Sequence, residues 1–295
     1  MYELVKISDC CYYINCPSKM GIYVKETGDA YLIDSGNDKD AGKKAKKILD
    51  GEGWLLKGIL VTHAHADHIG GCNYLQTQTG CKIFASPMEG AFAANTTLMP
   101  ISLYGGNPHK EICHKDMIAK PCIVSGFEDP DFPKEIEIID LSGHAPGQVG
   151  YKLPDGSVFL ADVLCTRETL DKYAIVYLYD VGAHLVSLER VAQMETEKGA
   201  FFVPAHCPVG ESVAELAVYN QEKILEIAEL LMQWCKEPKT LEQLLAMAFS
   251  HYNLTMNFAQ HELIGSTIRS YLTYLEALGK LQIFIEDQYL LYKAI

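Results

Sequence analysis

Four short apolar segments of this 295-residue chain each end beside a histidine or an aspartate. GILVT overlaps the start of THAHADH, EIEIIDL is followed by SGH, SVFLA by Asp162, and FFVPA by His206. Stretches with helical spacing of apolar residues lie between such segments, among them 39–50, 69–79 and 185–198. Strands that alternate with helices indicate a layered α/β domain. Because strand ends meet at one edge of the sheets in that architecture, we expect these side chains to share one cleft.

Two further patterns predict antiparallel strand pairs in the same part of the chain. GIYV is joined to AYLID by the turn residues ETGD, and VGYKL is joined to SVFLAD by PDG. A hydrophobic content of 48% supports a sizeable core around these strands.

The pattern changes after His206. Apolar residues recur at helical intervals over 211–236, and Pro238 ends that stretch. Residues 240–249 and 262–278 have the same spacing and predict two more helices.

The chain then closes with LQIFIEDQYLLYKA, which predicts a small hairpin turning at Glu286 and Asp287. Helices followed by a β-ribbon are typical of a winged helix. We therefore predict a boundary near Gly210, with a catalytic domain over 1–210 and a winged-helix-like domain over 211–295.

Charge and composition disfavour several classes of protein. The net charge is −13, and residues 211–295 hold six basic against eleven acidic residues, so we do not expect a nucleic-acid partner. No window approaches the roughly 20 apolar residues of a membrane span, and MYELVKISDCCYY lacks the features of a signal peptide. We expect a cytoplasmic protein with a small-molecule substrate. The apolar helix faces of 211–295 predict either a homo-oligomer contact or a wall over the cleft.

The ten cysteines are scattered without a CxxC pair, which predicts reduced thiols. The metal-capable side chains at the strand ends are seven in number: His63, His65, Asp67, His68, His144, Asp162 and His206. Imidazole and carboxylate suit zinc, iron or manganese, and seven ligands exceed the four of one tetrahedral site. We therefore predict two divalent ions, zinc first, with iron and manganese as alternatives.

THAHADH, GHAPGQ, ADVLCT and PAHC resemble the metal motifs of the metallo-β-lactamase superfamily, over about residues 1–210. The resemblance implies a four-layer αββα sandwich. It also implies one metal held by a first set of three histidines, a second metal held by a second set, and a carboxylate that bridges both. Residue by residue, the first metal would be held by His63, His65 and His144, and the second by Asp67, His68 and His206. Asp162 would bridge both metals. Asp34, in YLIDSG, would support the histidines.

We name the two carboxylates of the set, Asp67 and Asp162, as catalytic residues. Three cysteines stand where relatives more often have small or neutral residues: Cys72, Cys165 and Cys207. We interpret them as small buried side chains, with a metal-poised thiolate as the alternative.

The long segment 101–122 has no clear periodicity, and such segments often cover a site. It either lines the cleft or forms a solvated surface loop. Tyr104 within it, and Tyr177 and Tyr179 after the bridging aspartate, are candidates for lining the substrate. For the last two, packing in an aromatic core is the alternative.

Two ions would bridge a water and lower its pKa towards roughly 7, which makes a bridging hydroxide available for hydrolysis. We expect an ester, thioester or lactone substrate. THAHADH lacks the extra histidine and the tryptophan of THHHWDH, which is typical of glyoxalase II. The alternatives are a ribonuclease or phosphodiesterase of the same superfamily, a mononuclear iron persulfide dioxygenase, and a non-catalytic regulator.

Overall fold

The computed structural model describes residues 2–295, and its first β-sheet has six strands that lie side by side in chain order. They are β1 (Glu3–Lys6), β2 (Cys11–Asn15), β3 (Met20–Val24), β4 (Asp29–Ile33), β5 (Leu55–Leu60) and β6 (Lys82–Phe84). β1 to β4 pair antiparallel, whereas β4, β5 and β6 are parallel. The predicted hairpin is confirmed as β3 and β4, in which Val24 pairs with Ala30.

The second sheet has four strands in the order β10, β9, β8, β7. They are β7 (Glu137–Asp140), β8 (Val149–Lys152), β9 (Val158–Ala161) and β10 (Phe202–Pro204). β9 and β10 are parallel and the other pairs are antiparallel. The second predicted hairpin is confirmed as β8 and β9, in which Tyr151 pairs with Phe159.

The two sheets pack face to face, and helices cover both outer faces. The layer between them contains Leu60 and Phe84 from the first sheet and Tyr151 and Phe159 from the second, all buried. α1 (Lys39–Glu52) and α3 (Cys72–Thr79) cover the outer face of the first sheet. α7 (Val181–Gln193) and α8 (Ala214–Trp234) cover the outer face of the second sheet. This arrangement confirms the predicted four-layer αββα sandwich.

Shorter helices connect these layers, and the chain ends in two helices and a hairpin. The remaining elements are α2 (Ala66–Ile69), α4 (Pro87–Ala94), α5 (Leu98–Tyr104), a 3₁₀ turn (Lys110–Ile112), α6 (Arg167–Tyr173), α9 (Leu241–His251), α10 (Phe258–Ala277), β11 (Leu281–Glu286) and β12 (Tyr289–Ala294). The order of α8, α9, α10 and a β-ribbon is the predicted C-terminal pattern. One apolar core joins Leu160 of β9 to Leu231 of α8 and Leu272 of α10. The domain boundary near Gly210 stays a prediction.

Several predicted bounds are wrong, each for a local reason. The stretch 69–79 is interrupted at Gly70 and Gly71. The β4–α1 loop passes so close to this point that a Cβ on Gly70 would collide with its backbone, so only glycine fits there. The helix predicted at 185–198 begins at Val181, because the Asp180 side chain accepts a hydrogen bond from the helix N-terminus. It ends at Gln193, before the charged residues that follow.

The bounds of the C-terminal elements also differ from the prediction. α10 begins at Phe258 because Asn257 caps it, and the last hairpin turns at Asp287 and Gln288, both with positive φ. Glu286 therefore belongs to β11, opposite Tyr289. The sequence analysis missed β1 and β2 altogether, although the alternation in CYYIN is a strand signal. Among the described residues, none of the helices combines the length and apolar character that crossing a bilayer requires.

Candidate metal centre

The predicted convergence of the strand ends is observed. The THAHADH loop follows β5, and the other candidate ligands follow β7, β9 and β10. All seven side chains meet in one cleft as two groups, whose ligand atoms lie within 4.8 Å of one another in each group: His63, His65 and His144; and Asp67, His68, Asp162 and His206. That these side chains bind metal stays a prediction.

The first group is a triangle of imidazole nitrogens. Nδ1 of His65 lies 3.0 Å from Nε2 of His63 and 3.0 Å from Nε2 of His144. Nitrogens bound to one tetrahedral zinc at about 2.0–2.1 Å would lie about 3.3 Å apart. The three nitrogens are therefore spaced much as they would be around one ion.

Asp162 lies between the two groups. Its Oδ2 is 3.6 Å from Nε2 of His144 and 3.4 Å from Nε2 of His206, and its Oδ1 is 3.3 Å from Nε2 of His68. Oδ2 of Asp67 is 3.2 Å from the same nitrogen of His206, at the more exposed side of the cleft. Among the carboxylates of residues 2–295, only that of Asp162 has an oxygen within 4 Å of ring nitrogens from both groups.

Hydrogen bonds on the far side of the rings set the tautomers. Nδ1 of His144 lies 3.1 Å from the carbonyl oxygen of Tyr177, and Nδ1 of His206 lies 2.9 Å from that of Pro17. A carbonyl oxygen can only accept, so each Nδ1 carries a proton and each Nε2 is directed into the cleft.

Asp34 sets the orientations of His63 and His68, in the supporting role that the sequence analysis expected. It accepts hydrogen bonds from the backbone N–H of Thr62 at 2.8 Å and from the Thr62 hydroxyl at 2.7 Å. Its Oδ2 also lies 2.7 Å from Nδ1 of His68. Because the Thr62 proton goes to Asp34, Thr62 Oγ1 accepts from Nδ1 of His63 at 3.1 Å. His63 and His68 therefore also direct Nε2 into the cleft.

Two backbone conformations at the site are strained. Asp34 has φ of 61° and Ala161, which directly precedes Asp162, has φ of 51°. A non-glycine residue in the left-handed region costs roughly 1–2 kcal/mol, and such residues cluster at functional sites. The strain at Ala161 turns Asp162 off the end of β9 and towards both groups of ligands.

The donor set fits divalent cations. The buried Oδ1 of Asp162 makes no hydrogen bond to any described residue. The lone pairs of His63 and His144 both face Nδ1 of His65 at 3.0 Å, and the single proton that Nδ1 can carry would satisfy only one of them. Opposed lone pairs and an unpaired buried carboxylate oxygen cost free energy unless a cation lies among them.

Burial keeps the first group neutral. It lowers the pKa of His65 to about 4 and that of His144 to about 3, and it holds the pKa of His63 well below the usual value. Imidazoles must be neutral to bind a metal, so this group is ready to bind at pH 7.

The second group has the opposite electrostatics. Burial opposes charge there too, but Asp162 raises the pKa of His206 to about 10, and the pKa of His68 is raised well above its usual value by the same carboxylate. Against the cost of burial, the nearby imidazole of His68 holds the pKa values of Asp67 and Asp162 well below their usual range. Both carboxylates are therefore ionised, as metal ligands must be.

The sequence analysis missed Glu89, which links two of the ligand loops. This carboxylate is only 2% exposed. One of its oxygens accepts a hydrogen bond from the N–H of Ala64 and the other from the N–H of Gly147, both at 2.8 Å. Glu89 follows the strand KIFAS, so the strand-end rule used for the other ligands could have pointed to it. It holds the loop of His65 against that of His144.

The cysteines near the site are protonated thiols. All ten cysteines are free. Burial raises the pKa of Cys165 to about 12 and that of Cys207 to about 12, and the thiol of Cys207 donates to the carbonyl of Leu164. Cys72 is fully buried and accepts from the Ser35 hydroxyl. These environments favour the interpretation as buried side chains over a metal-poised thiolate.

Two of the three tyrosine candidates lie at the cleft. Tyr177 contacts the rings of His65 and His144 edge-on, at centroid distances of 5.6 and 5.8 Å, and Tyr179 lines an adjoining cavity. Tyr104 lines neither of the cleft cavities formed by the described residues. It is exposed and packs against Phe258 of α10 instead, so its placement at the cleft is wrong.

Part of the segment 101–122 lines the cleft and part of it forms an exposed surface loop, so both predicted roles apply. Ser102, Leu103, Asp116 and Met117 line cavities at the cleft, whereas most of the residues between Leu103 and Asp116 are exposed. The segment is also partly helical, since it begins within α5.

The chain belongs to the metallo-beta-lactamase superfamily, whose family model matches residues 16–206. This match contains all seven candidate ligands.

Similar structures extend the likeness to the whole fold. A beta-lactamase domain protein from Burkholderia ambifaria superimposes with a TM-score of 0.76 at 15% identity, over 99% of this chain and 94% of that one. A metallo-beta-lactamase family protein from Thermus thermophilus gives 0.66 at 18% identity, over 100% of this chain and 98% of that one. At these identities the likeness concerns the fold alone.

Curated relatives share a shorter part of the sequence. A hydroxyacylglutathione hydrolase from Methylobacillus flagellatus is 29% identical over 137 residues, which are 46% of this chain and 44% of that protein. A protein of the same name from Cereibacter sphaeroides is 29% identical over 139 residues, 47% of this chain and 44% of that protein. The chain thus spans less than half the length of these relatives.

Proposed function

We propose that this protein is a metal-dependent hydrolase that cleaves an ester, thioester or lactone bond of a small substrate. The observation that carries the proposal is the position of Asp162, whose Oδ2 lies within 4 Å of ring nitrogens from both ligand groups. The names of the curated relatives support the thioester class, because hydroxyacylglutathione is an acyl thioester.

Two divalent ions are the cofactor that this donor set suits. His63, His65 and His144 would hold one ion, while Asp67, His68 and His206 would hold the other, with Asp162 shared. We propose zinc, because three imidazoles around one ion are a common zinc site. Bound there, such ions would supply an activated water with a pKa near roughly 7 and a Lewis acid for the carbonyl oxygen.

The residues of the chain orient the reactants and hold the charges. Asp34, Thr62 and the carbonyls of Pro17 and Tyr177 keep four of the five imidazoles turned to the cleft, those of His63, His68, His144 and His206. Oδ2 of Asp67 lies at the open side, where it accepts a hydrogen bond from the attacking water and orients it. In the overall step the acyl carbon gains a hydroxyl group, its bond to the leaving oxygen or sulfur breaks, and that atom gains a proton.

The first test is elemental analysis of protein prepared without chelator. The second is an assay for the hydrolysis of neutral thioesters and lactones. We expect two metals per chain and turnover that chelation removes and zinc restores. One iron per chain with oxygen consumption on a persulfide would instead identify an oxygenase. Full metal occupancy without turnover on any acyl substrate or phosphodiester would favour a non-catalytic regulator.

A further inference from the structure

An apolar side chamber adjoins the metal cleft. The cleft cavity has a volume of about 210 Å³ and is lined by four of the candidate ligands, together with Leu263 and Met117. A second cavity of about 100 Å³ shares three lining residues with it, His65, Met99 and Tyr177. When the reacting carbonyl of a substrate lies at the candidate metal ligands, the neighbouring part of that substrate therefore lies beside this chamber.

The wall of the chamber consists mainly of hydrocarbon. Phe92, Met99, Leu103 and Pro146 line it, with the rings of Tyr177 and Tyr179. The two oxygens of Glu89, which also lie at the wall, each accept a backbone hydrogen bond. No lysine or arginine within residues 2–295 lines either cavity. Glu89 lines the chamber and Asp116 lines the adjoining cleft cavity together with Asp67 and Asp162, so a negatively charged tail would be repelled.

The size of the chamber is set by parts of the chain that are distant in sequence. Leu103, on α5, is only 3% exposed and lines one side of the chamber. Ser266, on α10, lines the other side. Phe258 of α10 packs against Tyr104 and His109, with ring centroids 6.1 and 4.4 Å apart. These contacts hold α5 and the 3₁₀ turn against α10, and α5 forms part of the chamber wall through Leu103.

We propose that this chamber binds the acyl group of the substrate and selects a short, uncharged, apolar acyl chain. The proposal rests on the proposed hydrolase function and names its substrate class. An apolar cavity of about 150 Å³ accepts benzene, so the smaller chamber suits a tail of about three to five carbons. The leaving group lies on the open side of the cleft, where the chamber places no restriction on it.

Two variants on one helix test the chamber. Leu103→Trp fills it, whereas Ile101→Trp adds the same ring on the exposed side of α5, where residue 101 is 41% exposed and lines neither cavity. Ser266→Phe fills the chamber from α10 and serves in place of Leu103→Trp if that variant does not fold.

The first measurement needs neither metal nor turnover. The ¹³C-labelled methyl group of Met99 is followed by NMR in the full metal-free chain while linear alkanols from ethanol to decanol are added. We expect the largest shift and the tightest binding near pentanol, unchanged by Ile101→Trp and lost in Leu103→Trp. Shifts that are equal in all three proteins would overturn the chamber as a binding site.

The second measurement uses metal-loaded protein and neutral N-acetylcysteamine thioesters with acyl chains from acetyl to decanoyl. We expect kcat/KM to rise about fourfold per methylene up to about five or six carbons and then to fall. Leu103→Trp should lose the gain on pentanoyl relative to acetyl, whereas Ile101→Trp should keep the wild-type profile. A flat profile, or an equal loss on acetyl and pentanoyl, would overturn the selectivity.

The two measurements separate the two proposals. If no thioester or ester of any length is cleaved, the hydrolase proposal fails, and the alkanol titration still decides whether the chamber binds an apolar tail. If thioesters are cleaved without regard to chain length, the hydrolase proposal stands and the acyl-chamber proposal fails.

Discussion

Oδ2 of Asp34 lies 2.7 Å from Nδ1 of His68, a member of the second ligand group, and both side chains are buried. This contact leaves Nε2 of His68 free for the cleft and fixes the direction of the ring. A carboxylate behind a ligating histidine also raises the basicity of the imidazole.

Asp34→Asn should weaken metal binding at the second group by about 10–100-fold, because the amide cannot accept from Thr62 and His68 as the carboxylate does. The measurement is a competition titration with a chromophoric chelator. Asp40→Asn, at an exposed position in the first turn of α1, is the matched control. Equal affinities in the wild type and both variants would contradict the role of Asp34.

Asp162→Ala should remove nearly all turnover and weaken at least one metal site, while the fold persists. The substitution leaves imidazoles of both groups without the shared negative charge between them. Metal content by elemental analysis, together with circular dichroism, separates loss of the site from loss of the fold. Wild-type metal content and rate in this variant would show that Asp162 does not bridge.

Glu89→Gln should destabilise the fold by about 1–3 kcal/mol and weaken binding at the first ligand group. The amide has one accepting oxygen, so the N–H of either Ala64 or Gly147 would be left facing another donor. Urea unfolding of the metal-free protein gives the first effect and metal titration gives the second. Glu52→Gln, at the exposed end of α1, controls for the loss of one charge.

Metal binding at pH 7 should release protons from the second group only. His68 and His206 have pKa values raised above 7 in the metal-free protein, that of His206 to about 10, so each must lose a proton to bind. The pKa values of His65 and His144, about 4 and about 3, mean that the first group has none to lose.

Calorimetric titrations in buffers of different ionisation enthalpy count these protons. We expect about two per chain at pH 7 and fewer as the pH rises through the pKa of His206. Proton release that does not change between pH 7 and 10.5 would contradict these protonation states.

Residues 211–295 should not bind nucleic acid, because their six basic and eleven acidic residues give a net charge of −5. In the structure this segment contributes Leu263 and Ser266 to the cleft walls, which is one of the two predicted uses. Binding of mixed RNA and DNA at low salt is measured together with the mass in solution. Tight, salt-sensitive binding by a monomer would favour the ribonuclease alternative.

Apart from β1, β2 and the short helices, the sequence by itself determined the order of the elements and the seven candidate metal ligands. Alternation and helical spacing predicted both hairpins, a layered α/β domain and the C-terminal pattern of helices and ribbon, because these depend on local periodicity. The four-layer αββα sandwich was implied by the resemblance of the motifs to a known family. The strand-end rule and the motifs identified all seven side chains that meet in the cleft, because a residue at the end of a buried strand has few directions in which to point. Helix ends were less accurate where a cap such as Asp180 or Asn257 lay outside the apolar pattern.

Only the tertiary structure decided which atoms meet through space. The place of Asp162 between the groups depends on the strained backbone at Ala161, and the link made by Glu89 depends on the packing of two separate loops. The side chamber exists because α10 packs against α5, which brings Ser266 opposite Leu103. Such distances depend on how segments far apart in sequence pack, and no local pattern of residues encodes them.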